Sequence, residues 1–238
     1  VDPATNSLLV LYDDTQNIYG KAERRRFSWK SVGIDAVGHT TILKLNYRNT
    51  LEILSVAKAF IEAQPTVDVA TDDGQPVIAP ESAGRRGPMP ELIRAQGRDD
   101  ETSVIVTRIR DERAQGRSLA DMAIIVRKDA DAKHFHDALV RAGIEARIAD
   151  QRGKATLFQG GPSVKIVSMH SSKGLEFPLV FIPRLGQMPT QGEDPLTEAR
   201  LLYVAITRAT EHVMALHDAD SEHAELLGRA IGESLAVA

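Results

Sequence analysis

Runs and alternations of apolar residues divide the chain into short strands and amphipathic helices. Leu8-Leu9-Val10-Leu11-Tyr12 is a continuous apolar run ended by Asp13-Asp14, the pattern of a buried strand. A polar, basic stretch follows to about His39. Thr41-Ile42-Leu43-Lys44-Leu45 then predicts a second strand, and Thr50 to Glu62 a helix with Leu51, Leu54, Ala57 and Ile61 near one face. Residues 63–100 carry prolines at 65, 76, 80, 88 and 90 and read as loop, with one edge strand near Glu91–Arg94. Beyond Asp100 helix and strand alternate. Glu101–Gln115 is predicted helical, Met122–Val126 a strand, and Asp131–Ala142 a helix closed by Gly143. Ile144–Ile148, Val164–Met169 and Leu179–Ile182 follow as strands. Asp194-Pro195 reads as an N-cap and first-turn proline opening a helix to about Ala209. Val213–Leu216 is the last predicted strand and His223–Leu235 the last helix. This alternation predicts an α/β fold, a mostly parallel sheet with helices on both faces.

Composition narrows the function classes. Of 238 residues, 42 % are hydrophobic and 26 % charged, an ordinary globular mix. No stretch approaches the roughly 20 apolar residues that span a bilayer, so no membrane partner is expected. Cysteine is absent, which removes disulfides, thiolate zinc sites and cysteine nucleophiles, and suits a reducing, cytoplasmic location. The histidines form no HExxH pattern; His134 and His136 lie two apart on a predicted helix and diverge, so no metal site is expected. The net charge of −4 argues at first against nucleic acid. Its distribution changes that picture. Residues 21–48 hold Lys21, Arg24, Arg25, Arg26, Lys30, Lys44 and Arg48 against Glu23 and Asp35, whereas 211–238 are strongly acidic. Such a dipolar chain can offer a basic strip to phosphate.

Four segments carry candidate chemistry, each with a plainer alternative. Asp13-Asp14-Thr15-Gln16-Asn17-Ile18-Tyr19-Gly20 follows a predicted strand, where a carboxylate and an amide can orient water or sense a phosphate, or merely close an Asx turn. Asn46-Tyr47-Arg48-Asn49 offers a guanidinium for a phosphate oxygen and an aromatic face, unless Arg48 pairs with Glu52 at i+4. Ser168 to Phe177 joins two strands through hydroxyls, His170, Lys173 and Gly174, a loop suited to backbone phosphates or simply a polar connection. It is not a Walker A loop; the GxxxxGK[ST] spacing occurs nowhere in the chain. Glu198 to Ala209 is apolar nearly all round, so Arg208 must find a route to solvent or an anionic partner, either a structural carboxylate or a ligand phosphate.

In this order the segments resemble the C-terminal motifs of superfamily 1A DNA helicases of the UvrD/Rep type. Tyr12 to Gly20 resembles GDxxQxIYG, Asn46-Tyr47-Arg48 the NYR motif, Ser168 to Phe177 TxHxxKGLEF, and Leu201 to Ala209 the helix ending LxYVAxTRA. Ala123-Ile124-Ile125-Val126-Arg127 and Ala142-Gly143-Ile144 are similar to the family's intervening segment. The resemblance implies a RecA-like, P-loop NTPase-type fold. It also implies that Gln16 senses the γ-phosphate, that Tyr47 stacks on adenine, and that Arg48 and Arg208 reach the γ-phosphate. Glu176, with Gly174 beside it, would hold the nucleotide across the cleft. Tyr19, Ser168, His170 and Lys173 match positions lining the single-stranded DNA track, where stacking and cations need no base specificity.

The departures from the family pattern shape the remaining expectations. The Walker A lysine and the Asp-Glu pair that holds magnesium are absent from the sequence. Residues 1–39 are therefore expected to be the trailing segment of a first motor domain. Residues 40–238 are expected to be the second RecA-like motor domain, lacking the Walker A half. ATP, as Mg-ATP in a full-length enzyme, is the expected cofactor, with no ATPase activity from this chain alone. Single-stranded DNA and the missing N-terminal motor domain are the expected partners. After Gly20 the family's aromatic and arginine are replaced by Lys21 and Ala22, so Trp29 or Phe27 is the candidate for base stacking. Residues 149–163 are a short connection where the family carries a large inserted accessory domain. The alternative reading is a non-catalytic RecA-like module that binds DNA or protein.

Overall fold

The computed structural model describes residue 33 and residues 45–64, 81–149 and 157–237. The expected strand at 8–12 and the candidates Gln16, Tyr19 and Trp29 lie outside these residues, as does all of the 41–45 strand except Leu45. The described elements are β1 (Leu45–Asn46), α1 (Leu51–Glu62), β2 (Glu81–Ser82), β3 (Glu91–Arg94), α2 (Arg98–Ala114), β4 (Met122–Val126) and α3 (Asp129–Arg141). They continue with β5 (Ala146–Ile148), β6 (Val164–Ser168), β7 (Phe177–Ile182), α4 (Pro195–Ile206), β8 (Ala209–His217) and α5 (Glu222–Val237).

Six strands form one sheet in the order β3-β8-β7-β4-β6-β5, and every pairing in it is parallel. Parallel strands buried on both faces need near-continuous apolar sequence. Met122–Val126 supplies it, with all five residues buried. One face packs against α1, α4 and α5 through Ile53, Phe60, Val180, Leu202, Val204, Val213 and Leu227. The other packs against α2 and α3 through Ile105, Ile109, Phe135, Leu139, Ile166 and Phe181. Glu91–Arg94 is the edge strand expected inside the proline-rich stretch, paired with β8 alone.

Local chemistry explains the helix boundaries. The Asp194 carboxylate accepts from Thr197 N–H at 3.2 Å and Pro195 occupies the first turn, so α4 opens as its sequence predicts. At the end of α3, Gly143 takes φ +73° and Ile144 N–H reaches Leu139 C=O at 2.9 Å, the closure that a left-handed glycine permits. Two expectations are corrected. The buried apolar residues of α1 are Ile53, Leu54, Val56, Ala57 and Phe60, so Leu54 and Ala57 are buried as expected while Leu51 and Ile61 lie at the margin, because α1 is rotated onto α5 and β8. Helix α4 stops at Ile206 rather than near Ala209. Ala209 already pairs with Phe177 as the first residue of β8, so the strand extends four residues further back than its apolar core implies.

Where β7 leaves the sheet, Arg184 adopts φ +64° and its backbone N–H donates to Glu101 Oε1 at 3.3 Å. Glu101 is fully buried in the first turn of α2, with Arg184 Nη1 3.7 Å from Oε2. Burial pushes its carboxyl up to about 7 against the pull of Arg184, with Asp218 adding to the rise. Below about pH 4.5 the folded and unfolded chains both hold this proton; between 4.5 and about 7 only the folded chain does. Stability from this group is therefore lost as pH rises through that window and stays reduced above it. Glu101→Gln is expected to melt higher than the wild-type chain at pH 8 and to lose that advantage by pH 5. Thermal melts of the two chains at both pH values check this; a difference independent of pH would refute it.

Candidate functional site

Three loops meet at the ends where β7 and β8 begin. The first is Asn46 to Asn49, between β1 and α1. Its shape comes from Asn46, whose Oδ1 accepts from Arg48 N–H at 2.8 Å and Asn49 N–H at 3.0 Å. This turn leaves Tyr47 70 % exposed, its ring presented outward. The second is Lys173-Gly174-Leu175-Glu176, in which Gly174 has φ +83°, a conformation side-chain-bearing residues rarely adopt. The third is Thr207-Arg208, the turn from α4 into β8.

The three are cross-linked by specific bonds. Arg48 Nε lies 2.6 Å from Glu176 Oε1, joining the first loop to the second. Arg208 is 1 % exposed; its Nε donates to Val204 C=O at 3.1 Å and its Nη1 to Leu175 C=O at 3.3 Å, joining the third to the second. Phe177 N–H donates to Arg208 C=O at 3.0 Å. Asn49 joins the first loop to the third, its Nδ2 donating to Thr207 C=O and Ala209 C=O. Segment 81–87 clasps the first loop from outside. Leu51 N–H donates to Arg85 C=O and Arg85 Nη1 to Arg48 C=O, both at 2.8 Å. Gly87 N–H donates to Glu52 Oε2 at 2.9 Å, so the Glu52 carboxylate faces this clasp and Arg86 instead of Arg48. A Cβ on Gly87 would sit 2.7 Å from Thr50 Cγ2 and 2.9 Å from Glu211 O, which makes glycine a requirement of the approach.

Ser168 and His170 lie at the opposite end of the sheet. Because β6 and β7 both run parallel to β4, residues 169–176 must return along the whole sheet. Ser168 at the exit of β6 and Glu176 at the entry of β7 are thus on the order of 20 Å apart, at 3.3 Å per strand residue. Ser168 Oγ bonds Ser171 Oγ at 3.1 Å and accepts from Ser171 N–H at 3.3 Å; Ser172, buried, bonds Met169 C=O through its hydroxyl at 2.7 Å. This folded knot carries His170 outward at the strand exit. Desolvation and the Arg127 cation hold the His170 pKa below its ordinary value, so it is neutral at pH 7. Beside it, Arg127 at the exit of β4 pairs with the fully buried Glu198 of α4, Nη2 to Oε1 at 2.7 Å, and Thr190 N–H donates to Glu198 Oε2 at 3.1 Å. Among the described residues no cluster of His, Cys, Asp or Glu is arranged to hold a metal ion, and no helix is long and apolar enough to cross a membrane.

The family model for the UvrD-like helicase C-terminal domain matches residues 41–159 and 151–216. This chain belongs to that family. The helicase C-terminal domain is 31 % identical over 150 residues to DNA helicase II of Escherichia coli (strain K12), a match covering 60 % of the chain and 19 % of that relative. It is 41 % identical over 63 residues to the ATP-dependent DNA helicase PcrA of Staphylococcus aureus (strain MRSA252), covering 23 % of the chain and 9 % of the relative. The chain thus spans about a fifth of the length of the first of these. Its fold resembles the C-terminal domain of a possible DNA helicase from Lactobacillus plantarum WCFS1, with a TM-score of 0.58, 20 % identity, and coverage of 78 % of this chain and 96 % of that one. The sheet is accordingly RecA-like.

Within the helicase C-terminal domain, tertiary structure gathers Tyr47, Arg48, Gly174, Glu176 and Arg208 at one end, and places Ser168 and His170 at the other. Lys173 lies on the return path between them. Sequence reasoning gave no role to Asn49, Arg85 or the Arg127–Glu198 pair. Their partners are 158 and 160 residues away for Asn49, 37 for Arg85 and 71 for Arg127, so no local spacing signals them.

Proposed function

We propose that this domain is the second motor domain of an ATP-dependent DNA helicase or translocase. It supplies the arginines that contact the γ-phosphate and part of the single-stranded DNA track. The observation that carries this reading is the convergence of three loops, distant in sequence, on Arg48, Glu176 and Arg208. The donor set suits a phosphate: two guanidiniums, one oriented by carbonyls on a fixed backbone, beside an exposed aromatic ring. The phosphate cradle and the magnesium ligands are assigned to a first motor domain of the same protein, and Gln16 to its trailing segment within residues 1–39. ATP bound there supplies the phosphoryl group whose developing charge these arginines stabilise.

Each residue has a definable task. Arg48 rests on Glu176, and both side chains are more than one-third exposed, so the pair is worth at most about 1 kcal/mol and exchanges readily for phosphate oxygens. Glu176 is then released to hold the nucleotide across the cleft, with Gly174 giving the loop its turn. Tyr47 offers its exposed face to the adenine. Ser168 and His170 at the other end, and Lys173 on the return path, contact the DNA backbone; Tyr19 and Trp29 are assigned as stacking groups. The 169–176 segment joins the two ends in a single covalent path, a direct way for phosphate contacts to bias grip on DNA.

The test is ATP turnover and DNA binding by the full-length protein and by this chain, with and without single-stranded DNA. The full-length protein is expected to hydrolyse ATP faster with DNA present, and this chain not to exceed a buffer blank. A full-length protein that binds DNA but never hydrolyses ATP would replace this reading with that of a non-catalytic RecA-like module.

A further inference from the structure

We infer that Asn49 is a positioning residue that fixes the backbones bearing Arg48 and Arg208 to one another. The inference rests on the phosphate reading of those two arginines and goes beyond it by assigning what sets their separation. Asn49 follows Arg48 directly, is 1 % exposed, and has both its amide nitrogen and its amide oxygen engaged. Nδ2 donates to Thr207 C=O at 3.0 Å and to Ala209 C=O at 2.5 Å, the two carbonyls that flank Arg208. Oδ1 accepts from Asn46 Nδ2 at 3.0 Å, closing the turn that contains Arg48. Two facing carbonyls require two N–H donors, so chemistry alone fixes the orientation of this amide. Aspartate, though isosteric, would oppose both carbonyls with acceptors, and serine has one donor on a shorter arm.

A second strut runs alongside the first. Arg85 Nη1 donates to Arg48 C=O at 2.8 Å while its Nη2 stands 4.0 Å from Glu211 Oε1, two residues past Ala209. The start of α1 and the start of β8 are thereby bracketed at two points. The backbones that carry the two arginines approach a phosphate as one body, so the separation of their side-chain origins does not have to be found anew in each catalytic cycle. Such preorganisation acts on the reacting state, where a displacement of about 1 Å costs on the order of 100-fold in rate.

Steady-state ATP turnover by the full-length protein with saturating single-stranded DNA tests this. Asn49→Ala is expected to lower kcat by about 100-fold, with the ATP KM within about threefold and single-stranded DNA affinity unchanged. In an Arg208→Ala background the same substitution is expected to cost nothing further, because residues acting as a unit are not additive. Asn49→Ser, with one donor retained, is expected to lose about tenfold, and serves if the alanine variant does not fold. Retained kcat in Asn49→Ala or Asn49→Ser, or a full multiplicative loss on top of Arg208→Ala, overturns the positioning role. Full turnover in Arg48→Ala and Arg208→Ala would instead remove the phosphate reading itself, and the two failures are distinct.

Discussion

Arg208→Ala in the full-length protein is expected to lower DNA-stimulated ATP turnover by about 1,000-fold, the lower end of what an arginine on a transferring phosphoryl group contributes. Its guanidinium is held in orientation by Val204 C=O and Leu175 C=O, and its backbone by the pairing of Arg208 C=O with Phe177 N–H. The side chain is also buried, so alanine removes packing as well as charge, and some loss of melting temperature accompanies the loss of rate. Arg208→Lys separates the two effects. Lysine keeps a cation and most of the apolar stem but not the planar fork, so its melting temperature is expected to recover toward wild type while turnover stays at least about 100-fold down. Turnover of the alanine variant within tenfold of wild type would take Arg208 out of the reaction.

The largest expected loss of stability is at Arg127. Glu198 is fully buried, and burial alone would raise its pKa; the Arg127 hydrogen bonds and the Thr190 N–H outweigh that and hold it below the ordinary value. Removing Arg127 strands a buried carboxylate, which costs about 3–5 kcal/mol, or roughly 6–20 °C in melting temperature for a chain of this size. The pH dependence gives the assignment a sharper signature. A depressed carboxyl pKa contributes stability above the unfolded value near 4.5, and that contribution disappears as pH falls through the folded value. The gap in melting temperature between wild type and Arg127→Ala is therefore expected to be widest at pH 7 and to narrow toward pH 4. Replacing both partners at once, as Arg127→Met with Glu198→Leu, should recover much of the loss, because the desolvation cost of both charges goes with them. Melts of this chain at the two pH values decide the matter; a gap that does not change with pH would mean that lost packing, not the stranded charge, sets the cost.

The pair also has a place in the function proposed for the domain. It links the exit of β4 to α4 and, through Thr190, to the segment preceding that helix, beside His170. A destabilised Arg127→Ala is thus expected to disturb the end of the sheet that carries His170 before the end that carries Arg208.

How much of this was legible in the sequence differs from element to element. Strand Met122–Val126 could be read directly, because a strand buried on both faces must be apolar throughout. The start of α4 was equally plain, since Asp194 and Pro195 act on backbone groups within one turn. The rotation of α1 was not legible: Leu51, Ile53, Leu54, Val56, Ala57, Phe60 and Ile61 offer more apolar positions than one face holds, and α5 and β8 chose among them. The end of α4 was misplaced for a related reason. Thr207 to Ala209 suit a helix locally, but Asn49 captures the carbonyls on either side of Arg208, and Phe177 draws Ala209 into the sheet.

The candidate site divides in the same way. Sequence by itself determined which residue types stand in which order: the asparagine-tyrosine-arginine turn, the histidine-lysine-glycine-glutamate loop and the arginine after an apolar helix. Those are local patterns, written in consecutive residues. Only the tertiary structure decided that Arg48 meets Glu176 instead of Glu52, that Arg208 lies beneath Leu175, and that Ser168 and Glu176 fall at opposite ends of the sheet. Parallel strand order sets these distances, and strand order follows from burying two apolar faces of one sheet at once, a condition that no short stretch of sequence contains.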